Sequence, residues 1–212
     1  METEKFILFF LLVCSVTIHE WAHAWTADKL GDPLPREQGR VTLDPRSHVD
    51  LIGTILLPLI MLFANPGFGI IGWGKPVQVS LPNKEKKVRD DILITAAGPF
   101  SNLCIIIISS LVFGIVHRFN PLGESSLSLF IQIISLNSML FVFNLVPIPP
   151  LDGSHFLKHL VGMKEAIFLK FSKYGFFILI VLVNVPLFQI FLGNAINGVS
   201  SFCIGIFSLL QN

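Results

Sequence analysis

Two imidazoles and a carboxylate stand together in the stretch VTIHEWAHAW, residues 16–25: His19, Glu20 and His23. On a helix, positions four apart stack on one face, so His19 and His23 present ring nitrogens to a single point while Glu20 is rotated by about 100° beside them. His-Glu-x-x-His at this spacing is a zinc-hydrolase pattern. The imidazoles hold the metal, the pKa of a bound water falls toward about 7, and the neighbouring carboxylate takes that water's proton as it attacks a carbonyl. Two ligands do not complete such a centre, which needs a third protein ligand and one open position. The best candidate lies in NLVPIPPLDG, residues 144–153, where a helix-breaking run delivers Asp152 at the end of a long apolar segment. Pro147, Pro149 and Pro150 stop the helix and force extended backbone, which is tolerated at membrane depth only when buried in protein or lining a wet cavity.

The elements that must position these residues are oily. Of 212 residues, 52% are hydrophobic and 14% charged, with mean hydropathy +0.72, above the apolar share and below the charge share of an average soluble domain. The expected fold is therefore an all-α, multi-pass membrane protein. Apolar stretches approaching the ~20 residues that cross a ~30 Å hydrocarbon core lie near 6–26, 92–117, 127–147, 166–184 and 187–210, with a shorter one at 49–64. The net charge of +1 excludes a basic nucleic-acid binder, and no repeat or flexible linker marks off a second domain. Residues 1–212 read as one membrane domain, a catalytic core over about 6–153 and accessory helices over about 166–210.

An ionisable residue at the centre of a membrane helix costs about 2.5–3.5 kcal/mol on insertion scales, so the His19, Glu20 and His23 cluster is a functional expectation by default. A cleavable signal peptide would also contain an oily run such as FILFFLLVCSV, but METEK lacks the positive leader that such a peptide carries. Segment 6–26 is read as a retained helix. Cys14, Cys104 and Cys203 sit in apolar segments without metal-type spacing and read as small buried hydrophobes.

Four stretches together resemble the site-2 protease family of intramembrane zinc metalloproteases: HEWAH at 19–23, GWGKPVQV at 72–79, AGPFSN at 97–102 and NLVPIPPLDG at 144–153. The resemblance implies one zinc ion per chain held by His19, His23 and Asp152, Glu20 as general base, and Asn144 as a polar group holding the substrate carbonyl or the developing oxyanion. It implies transmembrane proteins as substrates and the lipid bilayer as surroundings. It also implies that Trp73 to Val79 forms a re-entrant β-loop whose exposed edge holds unwound substrate by strand addition; Pro76 within it is permitted at an edge, and the alternative for the same residues is a turn-rich interfacial anchor using Trp73. No stretch has the length of a PDZ module found in larger members, so a short form is expected. Small Ala97 and Gly98 read as close helix packing, and Asn102 as a partner for the catalytic helix.

Parity adds a constraint. For the C-terminal ends of 6–26 and 127–147 to share one side of the membrane, either 49–64 or 92–117 must fail to span; the shorter one, containing Pro58, is expected to be re-entrant or interfacial and to lead into GFGIIGWGKPVQV. The basic residues from Lys29 to Arg89, with Lys158 and Lys164, then share one side, which the positive-inside rule makes the cytoplasm. His19 lies about 13 residues beyond Phe6, ~20 Å along the helix, so the metal is expected within the membrane nearer the cytoplasmic face of a prokaryotic plasma membrane. The His155 and His159 pair, with Lys158 between and no adjacent Glu, reads as a boundary helix; His48 and His117 receive no role. The competing class is a membrane scaffold or a metal or ion transporter with the same ligands, which would need no base at Glu20.

Overall fold

The computed structural model describes residues 2–64 and 72–211. It is an all-α multi-pass membrane protein, with five helices long and apolar enough to cross a bilayer among the described residues. Packing divides the chain into two compact units, residues 1–98 and 99–212.

The first unit is built on α1 (Glu2–Lys29), 28 residues without an internal Gly or Pro, about 42 Å at 1.5 Å per residue. Gly31 ends it at φ +90°, a conformation glycine adopts without a Cβ penalty, and Asp32 N donates back to Ala27 O at 3.0 Å. A one-turn helix α2 (Leu34–Glu37) and a 3-10 turn at Pro45–Ser47 follow. The shorter apolar stretch folds as a π-helical turn, Leu51–Leu56, running into α3 (Leu57–Ala64). Pro58 has no N–H and crowds the preceding turn; the wider π geometry just before it takes up that misfit without ending the helix. Asp50 starts the segment by accepting from Ile52 N and Gly53 N at 3.0 and 2.6 Å.

Leu51–Phe63 is an apolar helix shorter than the five candidate spans, with about 20 Å of rise against a ~30 Å hydrocarbon core. It descends beside α1 until Phe63 packs on Phe6, ring centroids 5.4 Å apart. The chain then returns to where it left: Trp73 N donates to Gly53 O at 3.1 Å, Thr54 Oγ1 to Trp73 O at 2.7 Å, and Lys75 N to His48 O at 2.8 Å. Residues 73–75 therefore lie beside residues 48–54, an arrangement compatible with the re-entrant or interfacial segment expected from parity. Its lead-in at 67–71 lies outside the described residues.

Residues 73–79 differ from the expected β-loop. No strand occurs among the described residues, and 72–80 is irregular chain tied to its surroundings by individual hydrogen bonds. A strand is defined by a ladder, and this segment has no neighbouring strand to pair with. α4 (Lys87–Phe119) then begins, 33 residues with Pro99 in its interior; its first twelve residues belong to the first unit.

The second unit comprises the rest of α4 with α5 (Glu124–Asn144), α6 (Gly153–Leu160), α7 (Glu165–Val183) and α8 (Pro186–Gln211). α5 ends at Asn144, three residues before the first proline of the run. Ile106, Phe130, Ile134, Cys203 and Phe207 form its core, with Phe130 and Phe207 centroids 4.8 Å apart. Cys203 is fully buried there, whereas Cys14 and Cys104 are half-buried, and all three are free thiols. A second cluster of Val146, Leu151 and Leu179 seats the proline-rich turn on α7, where Gly175 is required because a Cβ would stand 2.2 Å from Pro149 O.

Candidate metal centre

α1 stays helical through residue 23, so the predicted stacking is realised. His19 and His23 are 6% and 7% exposed, their Nε2 atoms 3.1 Å apart and their rings nearly perpendicular at 84°. His23 Nδ1 donates to Ile94 O at 2.7 Å. A carbonyl can only accept, so the proton sits on Nδ1 and Nε2 keeps its lone pair for a metal.

These atoms fit zinc. Two nitrogens each about 2.0–2.1 Å from a tetrahedral zinc stand ~3.3 Å apart, close to the separation observed. The wall facing them is bare backbone: a Cβ on Gly98 would lie 2.3 Å from His23 Nε2 and 2.6 Å from His19 Nε2. The packing role expected of Gly98 is thus specific, since α4 meets the two ring nitrogens at the one residue type that leaves them space.

Glu20 lies beside the pair, its side chain 12% exposed, with Oε2 3.8 Å from Arg40 Nη2. The chain at Gly74 lies against it, for a Cβ on Gly74 would stand 2.9 Å from Glu20 Oε1. Arg40, 4% exposed, donates from Nη1 to Ser47 O and from Nη2 to Lys75 O. Burial pushes its guanidinium below the ordinary value, and the Glu20 carboxylate opposes that push. His48 is fully buried with Nε2 donating to Thr42 O at 2.7 Å. Burial pulls its pKa down, the Thr42 carbonyl resists, and the Arg40 charge lowers it further. Asp32 anchors the far end of the returning chain, accepting from Ser80 N and Oγ at 2.6 Å and from Leu81 N at 2.9 Å. Its burial would raise its pKa, but the bonds from Ser80, Leu81 and Leu34 outweigh that and hold it below the usual carboxylate range.

Sequence reasoning missed Arg40, His48 and Asp32. They share no motif spacing; Arg40 and Asp32 act on main-chain atoms 35 to 49 residues away, and His48 acts on the carbonyl of Thr42 within its own turn. The available signal was faint: charged residues in the turn-rich GDP and GRVTLDP stretches, where solvated loops carry the same composition.

Asn144 and Asp152 lie in the second unit. Asn144 is the last residue of α5 and its Nδ2 donates to Leu140 O at 3.0 Å, leaving the second amide hydrogen for another acceptor. Asp152 precedes α6 without making a side-chain capping bond to it, and its Oδ2 is buried. The turn folds back tightly, since a Cβ on Gly153 would stand 2.3 Å from Leu145 O, and this brings Asp152 beside the end of α5. Asn102 is fully buried and donates to Asn137 Oδ1 on α5 at 3.0 Å. In α6, His155 packs edge-on against Phe168, and the buried Lys158 pairs through Nζ with Glu165 at 3.1 Å.

Residues 113–185 match the profile described as Peptidase family M50. The chain is 35% identical over 206 residues to the "Putative zinc metalloprotease YwhC" of Bacillus subtilis, covering 94% of this chain and 90% of that protein. It is 29% identical over 179 residues to the "Putative zinc metalloprotease Rip2" of Mycolicibacterium smegmatis, 81% of this chain and 64% of that protein. To the "Zinc metalloprotease MJ0392" of Methanocaldococcus jannaschii it is 28% identical over 167 residues, 79% of this chain and 38% of that protein. No solved structure matches the chain.

Proposed function

This chain belongs to peptidase family M50, and from that premise we propose that it is a zinc endopeptidase hydrolysing peptide bonds within or beside the transmembrane segments of other membrane proteins. The observation that carries the reading is the facing pair of Nε2 atoms at 3.1 Å, with Glu20 beside them, in a helix apolar enough to cross the bilayer. In this reading His19, His23 and Asp152 hold one zinc ion per chain. When bound, the ion supplies Lewis-acid activation of water and of the scissile carbonyl.

The chain's own groups do the rest. Glu20 takes a proton from the attacking water and passes it to the leaving amide nitrogen. The His23 Nδ1 bond to Ile94 O keeps that ring from rotating. The second Nδ2 hydrogen of Asn144 donates to the substrate carbonyl oxygen, and one such donor to a developing oxyanion is worth about 3 kcal/mol. A substrate helix hides its peptide groups in internal hydrogen bonds, so it must be unwound before attack. The irregular main chain at 76–79 offers it replacement partners by backbone pairing. The grouping of basic residues supports a cytoplasm-facing site, the bacterial and archaeal relatives support a prokaryotic plasma membrane, and the whole chain works as one membrane-embedded unit.

Glu20→Gln tests the reading. The variant is expected to bind zinc like the parent and to yield none of the membrane-protein fragments that appear in cells carrying the parent. Equal fragment patterns would remove the assigned mechanism. A metal-binding scaffold or transporter would be indifferent to the change.

A further inference from the structure

We infer that Arg40 is a positioning residue that ties the general base to the segment receiving substrate; the inference rests on the protease reading for what Glu20 and residues 72–79 do. One buried guanidinium touches three parts of the first unit. Its Nη2 stands 3.8 Å from Glu20 Oε2 and donates to Lys75 O, while Nη1 donates to Ser47 O. Lys75 N in turn donates to His48 O at 2.8 Å, so both main-chain polar groups of Lys75 are held, one directly by Arg40 and one through the turn that Arg40 also grips. Gly74 lies against the carboxylate itself, with room for no Cβ.

A link made only for stability would not need a charge here. Burying a cation is costly, and apolar replacements of buried ionic groups are often neutral or stabilising. Arginine does what an apolar residue cannot: its planar fork reaches two carbonyl oxygens at once and still presents positive charge to a carboxylate. Lysine offers one point charge and cannot span the same acceptors. With Arg40 in place, a substrate backbone paired beside Lys75 stands at a set offset from Glu20, and loss of the link lets base and substrate shift independently.

Asp32 provides the contrast. It holds the other end of the segment through Ser80 and Leu81, at the end away from Gly74 and Lys75, so loosening it disturbs substrate binding while leaving Arg40 against the base.

The test uses the zinc-loaded full chain in detergent with fluorescently labelled β-casein, an unfolded probe that requires no helix unwinding. Arg40→Met is expected to keep the parent's zinc content and lose kcat about a hundredfold, the scale of a 1 Å misplacement of reacting groups. Its Lys75 amide is expected to exchange with deuterium faster than in the parent. Arg40→Lys, which keeps the charge and guards against misfolding of the first variant, is expected to fall between the two in both readouts. Asp32→Asn is expected to act mainly on KM, raising it about tenfold. The inference is overturned if Arg40→Lys retains the parent's kcat, or if the effect at Arg40 is confined to KM as at Asp32. Should parent and Glu20→Gln treat casein alike, the protease reading fails instead. Exchange at Lys75 then decides alone, and unchanged protection in both Arg40 variants overturns the link.

Discussion

Gly98→Ala adds one methyl group at the place where the backbone of α4 meets the imidazoles of His19 and His23, the proposed metal ligands. The new Cβ would stand 2.3 Å from His23 Nε2, 2.5 Å from His23 Cε1 and 2.6 Å from His19 Nε2. Carbon and nitrogen in ordinary contact sit about 3.5 Å apart, so the rings must retreat by roughly 1 Å. Neither side yields cheaply: one is helix backbone, and His23 is pinned through Nδ1 to Ile94 O. Overpacking of this kind costs about 1–3 kcal/mol of stability, and rotating His23 away forfeits its hydrogen bond, a further ~1 kcal/mol. Ligand positions are tolerated only within about 0.2 Å, so a shift several times larger should weaken zinc binding by at least the ~10–100-fold typical of disturbed outer-shell contacts. Competition with a chelator on purified protein measures the affinity, and thermal unfolding in detergent measures the stability cost. A Gly98→Ala protein with the parent's zinc affinity would refute the reasoning, because it would mean that the ring nitrogens do not face α4 in the way described.

Asp152→Ala is expected to lower zinc affinity without unfolding the second unit, measured as metal content after gel filtration, since Asp152 makes no side-chain cap on α6. Gly53→Ala would set a Cβ 2.4 Å from the Trp73 indole and should open the re-entrant excursion, read as a red shift and increased quenching of tryptophan fluorescence. Asn102→Leu removes a buried donor to Asn137 and should cost about 0.6–1.7 kcal/mol, the range for polar contacts between membrane helices, measured as a lower unfolding midpoint. The His48 pKa is depressed in the folded chain by burial, so below its ordinary value near 6.5 the unfolded chain binds the extra proton and the folded one does not. Stability from this group is therefore complete above about pH 6.5 and lost as pH falls through the folded value. Asp32 is likewise depressed and adds a second loss only below about pH 4. In His48→Gln the decline just below pH 6.5 should flatten in thermal scans while the acid-range decline persists.

Local patterns were legible in the sequence because they rest on periodicity and on solvent. The five spans were readable within a few residues, since a helix must bury about 20 apolar side chains in lipid wherever it occurs. The stacking of His19 on His23 followed from helical pitch alone, and the shorter helix within 49–64 followed from the length of its apolar run. What only the tertiary structure decided is what distant backbone does. Gly98 faces the imidazoles, Gly53 lies under Trp73, and Arg40 and Asp32 grip carbonyls and amides of residues 35 to 49 positions away. The strand expected at 73–79 resolved into irregular chain because pairing needs a neighbour, and no period in a sequence reveals whether a neighbour is there. Side-chain pattern reports which residues avoid water; main-chain hydrogen bonds between remote segments leave no such trace, because every residue carries the same donor and acceptor.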